Sequence, residues 1–271
     1  MQEIEADLRL LNDVARDAGA LAKRYFEKSN LKTWQKSVDA PVSEADLAVN
    51  ELVKSRLLAE RPNYGWLSEE SALEEHDRDQ EFVFVVDPID GTRAFLSGKS
   101  DWCIGLSVVS QGQPICGVVN APALGVLYDA GRGLGARRNG EQIETTHMGR
   151  IEGCRMVAHA GMFSHPAWRE PWPEMEVTQP HPNATLLRMC WVADGGWDAT
   201  LTLARKSDWD LAPAAIIVSE AGGSATTHAG EPYVFNRRVP AQRSLLAAGK
   251  PLHSLLHARV KGVRLPDPHK G

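Results

Sequence analysis

The chain has 271 residues, 43% hydrophobic and 24% charged, which is ordinary for a globular protein and enough for one large domain or two modest lobes. Its formal charge of −5 comes with no basic run, which excludes an extended nucleic-acid footprint; an enzyme of this charge that handles phosphate must bring its own cations, as Lys and Arg or as metal. There is no apolar run of about 18 residues, the start Met1 to Glu5 is acidic and unlike a signal peptide, and Cys103, Cys116, Cys154 and Cys190 fit neither a C-x-x-C pair nor a zinc site, so a cytoplasmic protein with no membrane span and reduced, mostly buried thiols is expected.

Ile4, Leu8, Leu11, Ala15, Ala18, Leu21, Ala22 and Tyr25 recur every three or four positions and predict a helix over 3–28. A linker containing Pro41 follows. Ser43 opens a second helix that runs to about Glu60 and stops before Arg61-Pro62-Asn63. Phe82 to Val86 is a run of β-formers too short for a buried helix and predicts a buried strand. Strands are expected over 103–109 and 114–119, joined at Ser110-Gln111-Gly112, and again over 125–130, which makes an antiparallel or mixed sheet. The stretch 164–182 holds five prolines and no period; it is expected to be a long loop and the best place for a boundary between lobes. Residues 184–194 suggest a helix. Another is expected from Trp209 to Ala221, closed by Gly222-Gly223, with Pro213 in or near its first turn; the last twenty residues carry two prolines and three histidines, and their end is expected to fray.

The most informative string is Val85-Val86-Asp87-Pro88-Ile89-Asp90-Gly91-Thr92. It places two aspartates three apart directly after a buried strand, beside the N–H groups of a helix expected to begin near Gly91. Carboxylates there can bind Mg²⁺, and the amides can bind a phosphate. Taken alone, the string equally fits a turn with an Asx cap. Other acids have bland readings too. Glu69 and Glu70 begin a solvated acidic run, Asp210 caps a helix, and Asp46 completes a capping box with Ser43. Asp46 also shares a face with Val49, Val53 and Leu57, where a bare carboxylate is costly and needs a partner.

Asp87-Pro88-Ile89-Asp90-Gly91-Thr92 resembles the signature of the inositol monophosphatase superfamily. Trp209-Asp210-Leu211-Ala212 followed by Ser219-Glu220-Ala221-Gly222-Gly223 resembles its second signature. Leu67 to Ser71 is similar to its glutamate motif, Lys36-Ser37 through Asp46 to its N-terminal lysine and aspartate, and Gly117 to Pro122 with Tyr128 and Gly133 to Gly140 to its middle strands. The resemblance runs from about residue 4 to 249. It implies an α/β (α+β) layered αβαβα fold with mixed sheets. It also implies hydrolysis of a small phosphomonoester with two to three Mg²⁺ ions. By position, Glu69, Asp87 and the Ile89 carbonyl would hold one ion, Asp87, Asp90 and Asp210 a second, and Glu69 a weaker third. Thr92, paired with Asp46, would help orient the attacking water, with Glu69 joining them in catalysis. Gly91 and Thr92 amides would bind the phosphate, with Asp90 and Asp210 beside the substrate. A homodimer and lithium sensitivity are further family expectations. The fold is taken as a single domain of two lobes, 1–150 with most metal ligands and 151–271 with Asp210.

Two departures bear on substrate choice. Asn183-Ala184-Thr185-Leu186-Leu187-Arg188 stands where the family has a Gly-Ser-rich turn, and Leu203 stands where a substrate-facing acid is often found. Ser207 to Ala212 looks more like bacterial 3'(2'),5'-bisphosphate nucleotidases. The substrate is expected to be an inositol monophosphate or such a nucleotide. The alternatives are fructose 1,6-bisphosphate or NADP phosphatase activity, or a phosphate-binding homologue without turnover. Gly98-Lys99-Ser100 is not a P-loop, since Arg93 occupies the required glycine position. Gly131, Gly133 and Ala136 have dinucleotide-fingerprint spacing but lie among hairpin strands. His253 and His257 are expected on a solvated face.

Overall fold

The computed structural model describes residues 2–28, 30–37, 40–71, 78–166, 168–178 and 182–267. The side chain of Lys36, the acidic run at 72–77 and the last four residues lie outside that description. In chain order the elements are α1 (Gln2–Phe26), β1 (Thr33–Ser37), β2 (Ala40–Ser43), α2 (Glu44–Glu60), β3 (Gly65–Ser68), β4 (Phe82–Asp90), α3 (Thr92–Leu96), β5 (Cys103–Ser110), β6 (Gln113–Ala121), β7 (Val126–Gly131), β8 (Gly135–Arg138) and β9 (Glu141–Gln142). The second part contributes β10 (Arg155–Met156), β11 (Glu176–Val177), α4 (Thr185–Ala193), β12 (Ala199–Thr202), β13 (Lys206–Ser207), α5 (Ala212–Glu220), β14 (Gly223–Thr226), β15 (Ala241–Gln242), β16 (Leu245–Gly249) and α6 (Lys250–Val260).

Two sheets and three helical layers alternate. The seven-stranded sheet runs β3-β4-β5-β6-β7-β8-β9, with β3 and β4 parallel and every later neighbour antiparallel. The five-stranded sheet runs β11-β10-β12-β16-β14. α1 and α2 cover one face of the larger sheet, α4 and α5 lie between the sheets, and α6 covers the far face of the smaller one. The result is the αβαβα order. Each layer has a sequence cause. α1 buries Leu8, Leu11, Val14, Ala15, Ala18 and Ala22 on one stripe. α4 and α5 are apolar nearly all round, as helices covered on both faces must be. The approach of α5 to the sheet is set by Gly117, where a Cβ would lie 2.4 Å from the Pro213 carbonyl oxygen.

Four expectations need correction. Pro41 lies in the antiparallel ribbon of β1 and β2, not in a linker; a two-stranded ribbon with only four or five residues a side leaves little alternation to detect. The described residues of the 164–182 stretch are mostly irregular but supply β11, an edge strand of the smaller sheet. The last long apolar helix begins at Ala212, three residues later than expected, because Ser207 to Leu211 form a turn closed by Leu211 and Ala212 N–H groups bonding to the Asp208 carbonyl. His253 is buried, with its ring 2.9 Å from the Thr226 hydroxyl, so this face of α6 is packed and not solvated. All four cysteines are free and buried. No described helix is long and apolar enough to cross a membrane.

Candidate active site

The two aspartates of β4 show how a strand can aim both at one place. Side chains alternate across a sheet, so residues 87 and 90, an odd number apart, would point to opposite faces of a regular strand. Here the register against β5 shifts between Asp87, paired with Gly105, and Asp90, paired with Cys103. The partner advances two residues while β4 advances three. That bulge falls at Pro88-Ile89, where proline has no N–H for the ladder. Val83 and Val85 pack toward α4 and α5, whereas Phe84, Val86 and Ile89 pack toward α1 and α2. The extra residue returns Asp90 to the face of Asp87. The strand therefore does not end at Val86 as expected but carries both acids within it.

Asp210 approaches from the turn before α5. It does not cap that helix; one of its oxygens accepts from the Ser207 N–H at 2.9 Å. Asp87, Asp90 and Asp210 each offer a carboxylate oxygen, and all three lie within 4.8 Å of one another. Glu69 follows β3, whose register on β4 is fixed by the bond from the Glu69 N–H to the Val86 carbonyl, 3.3 Å. It falls outside that tight trio, but its charge acts on Asp87. Its turn is anchored on α2, where the Ser68 hydroxyl donates to Asn50 at 2.6 Å.

Electrostatics mark this cluster as incomplete. Burial first, then the charges of Glu69, Asp90, Asp210 and Asp46, push the Asp87 carboxyl well above the usual carboxylate range. Burial and the Asp210 charge push Asp90 up to about 6, opposed by Lys206 and by the Leu186 and Thr185 amides. Both oxygens of Asp87 are buried without a hydrogen-bond donor among the described residues. A buried carboxylate in that state is costly unless a cation meets it. The donors are all hard oxygens, the set that suits Mg²⁺ or a similar divalent ion, so these residues fit a metal.

Beside the acids, Gly91 has φ +92°, a left-handed conformation that glycine adopts without strain, and it starts the short helix α3. Thr92 follows. Its hydroxyl lies 3.2 Å from the Asp46 carboxylate and 3.1 Å from the Ile89 carbonyl. Asp46 is buried and also accepts from the Ser43 N–H at 2.8 Å and the Ser43 hydroxyl at 2.6 Å. Its bland reading and its functional one both hold, because one oxygen closes the capping box while the other faces Thr92. Burial is the main cause that raises the Asp46 carboxyl.

The sequence profile of the inositol monophosphatase family matches residues 4–264. The chain belongs to the inositol monophosphatase family. It is a family of phosphoric monoester hydrolases. A histidinol-phosphatase from Chlorobaculum parvum is 32% identical over 238 residues, covering 85% of this chain and 89% of that protein. An inositol-1-monophosphatase from Mesorhizobium japonicum is 32% identical over 264 residues, covering 90% and 96%. Among solved structures, the extragenic suppressor protein SuhB from Bartonella henselae superposes with a TM-score of 0.80 at 26% identity, covering 95% of this chain and all of that one. In this inositol monophosphatase family member, Asp87 and Asp90 of the first signature meet Asp210 of the second, whereas Ser219 to Gly223 lie at the other end of α5, where Glu220 accepts from the Gly133 and Gly135 N–H groups.

Several neighbours of the site were not legible beforehand. Asn50 sits four residues after Asp46 on the buried stripe of α2, and a polar residue there was the available signal. Arg188, in an otherwise apolar helix, was another. It is buried and donates to the Thr185 hydroxyl at 3.1 Å and the Thr202 hydroxyl at 3.3 Å. Lys206 donates to the same Thr185 hydroxyl at 2.7 Å and lies 3.9 Å from Asp210. Leu203 packs into the core beneath α6, so its side chain belongs to that core.

Proposed function

We propose that this chain is a Mg²⁺-dependent phosphomonoesterase that transfers the phosphoryl group of a small ester to water. The observation that carries this reading is Asp87, whose two buried oxygens lack donors in a cluster closed by Asp90 and Asp210. Glu69, Asp87, the Ile89 carbonyl, Asp90 and Asp210 would hold two to three Mg²⁺ ions, supplying charge to offset the anionic ester, a lower pKa for the attacking water and stabilisation of the leaving oxygen.

The remaining steps belong to side chains and amides. The Thr92 hydroxyl has one proton for two acceptors, Asp46 and the Ile89 carbonyl. When the Ile89 carbonyl is engaged as a ligand, that proton turns to Asp46. The Thr92 oxygen is then left to accept a hydrogen bond from the attacking water and orient it. Gly91 and Thr92 amides hold the phosphoryl oxygens, Asp90 and Asp210 flank the substrate, and Glu69 completes the water side. The site reads the phosphate and not its alcohol, so inositol monophosphate, a 3'(2'),5'-bisphosphate nucleotide and, by likeness to the Chlorobaculum parvum relative, histidinol phosphate are the esters to compare first. The lobes 1–150 and 151–271 would share the site, in a cytoplasmic homodimer.

Phosphate release tests the reading. The panel is those esters with fructose 1,6-bisphosphate and NADP, each with Mg²⁺ and with chelator. Turnover should require Mg²⁺ and fall with added lithium. Release that is undiminished after complete chelation would rule the mechanism out.

A further inference from the structure

We infer that Asn50 and Ser68 are positioning residues for Glu69, clamping the turn after β3 so that the Glu69 carboxylate reaches an ion held at Asp87. This rests on the metal-dependent reading above and deepens it.

Glu69 is the proposed ligand that the sheet secures least. Asp87 and Asp90 lie within β4, an interior strand, whereas β3 is a four-residue edge strand and Glu69 stands just beyond its end. Its carboxylate is outside the trio whose oxygens come within 4.8 Å, yet after burial its charge is the first to act on Asp87. The backbone bonds of the turn are long. The Glu69 N–H reaches the Val86 carbonyl at 3.3 Å, and the Ser71 N–H reaches the Ser68 carbonyl at 3.4 Å. The short ties come from side chains. The Ser68 hydroxyl donates to Asn50 at 2.6 Å, and the Trp66 ring N–H donates to the Ser71 hydroxyl at 2.9 Å. Asn50 also donates to that Ser71 hydroxyl at 3.4 Å, so one amide on α2 touches both flanks of Glu69.

Asn50 follows Asp46 by four residues, which puts both on one face of α2. Asp46 faces the Thr92 hydroxyl at 3.2 Å. The same helix face therefore addresses the two groups assigned to the attacking water, Thr92 directly and Glu69 through its turn. A simpler role for Asn50 and Ser68 would be filling the core, since both are buried beside Val49 and Val53. A polar pair with only that role can be exchanged for an apolar pair of similar shape at little cost in stability, and metal binding would not notice. A pair that places Glu69 cannot be exchanged without weakening the ion.

The test is calorimetric titration of Mg²⁺ into the protein, with urea titrations of the metal-free form. Asn50→Leu combined with Ser68→Ala removes both partners and keeps the volume close. Its urea midpoint should stay near wild type while its Mg²⁺ affinity falls about tenfold, the scale of losing a group that orients a ligand. Glu69→Gln should lose at least as much. In a Glu69→Gln background the paired change should cost nothing further, because the clamp acts only through that carboxylate. Asn50→Ala alone should show the same pattern and serves if the paired variant does not fold. Wild-type Mg²⁺ affinity in the clamp variants, or an equal loss with and without Glu69, overturns the inference. A wild-type protein that binds Mg²⁺ but releases phosphate from no ester of the panel overturns the phosphatase reading instead, and the calorimetry still decides the clamp. A wild-type protein that takes up no Mg²⁺ overturns both.

Discussion

Replacing Asp90 by Asn should make the metal-free protein more stable and the Mg²⁺-loaded protein inactive. In the metal-free fold, burial and Asp210 push the Asp90 carboxyl from 3.8 to about 6. Two units at about 1.4 kcal/mol each is a penalty of roughly 3 kcal/mol for keeping it ionised. The sign follows from proton binding. The folded state holds this proton to a higher pH than the unfolded state, so metal-free stability falls as pH rises from about 4 to about 6 and stays lower above. Asparagine removes the charge. It can still accept the Leu186 N–H, bonded to Asp90 at 2.6 Å, but loses part of the amide bonding, which costs about 1 kcal/mol. The net gain at pH 7.5 is then about 1–2 kcal/mol, or several degrees in Tm at about 2–4 °C per kcal/mol. Mg²⁺ should reverse the order, since an ion at a hundred times its Kd adds about 2.7 kcal/mol to the wild type and far less to the variant. Thermal melts at pH 5 and 7.5, with chelator and with Mg²⁺, give all the comparisons, and phosphate release gives activity. An Asp90→Asn protein that melts lower than wild type without metal, or gains as much from Mg²⁺, refutes the reasoning, and so does wild-type turnover.

Thr92→Val removes the hydroxyl that faces Asp46 and should lower kcat by about 10²-fold, the scale of a lost proton-handling group, while a Mg²⁺ titration of Tm stays close to wild type. Gly117→Ala puts a Cβ 2.4 Å from the Pro213 carbonyl oxygen and should cost about 1–3 kcal/mol in a urea titration, with reduced activity because α5 carries the Asp210 turn. Asp7 is fully buried and accepts from the Arg61 side chain at 2.8 Å and the Tyr64 hydroxyl at 3.0 Å, joining α1 to the end of α2. Asp7→Ala should cost about 3 kcal/mol in the same titration and leave kcat of the folded protein unchanged, because none of these groups touches the site.

Much of the molecule was legible because its signals are local. The stripe of α1, the capping box of Ser43 and Asp46, the hairpin at Ser110-Gln111-Gly112 and the apolar run that opens β4 depend on neighbours a few residues away. The two signatures also pointed to three acids that the fold brings together, Asp87, Asp90 and Asp210, since residue types and order survive without knowledge of the fold. How those acids meet was a matter of tertiary structure. Nothing in the spacing of Asp87 and Asp90 announces a bulge, and without one the two would face opposite layers. The turn that aims Asp210, the burial of His253 and the meeting of Arg188 and Lys206 on Thr185 each depend on elements far apart in sequence. Sequence alone determined the chemistry available, because side-chain type is written residue by residue. Only the packed fold decided which charges share a low-dielectric space, because that proximity is set by the contacts between layers.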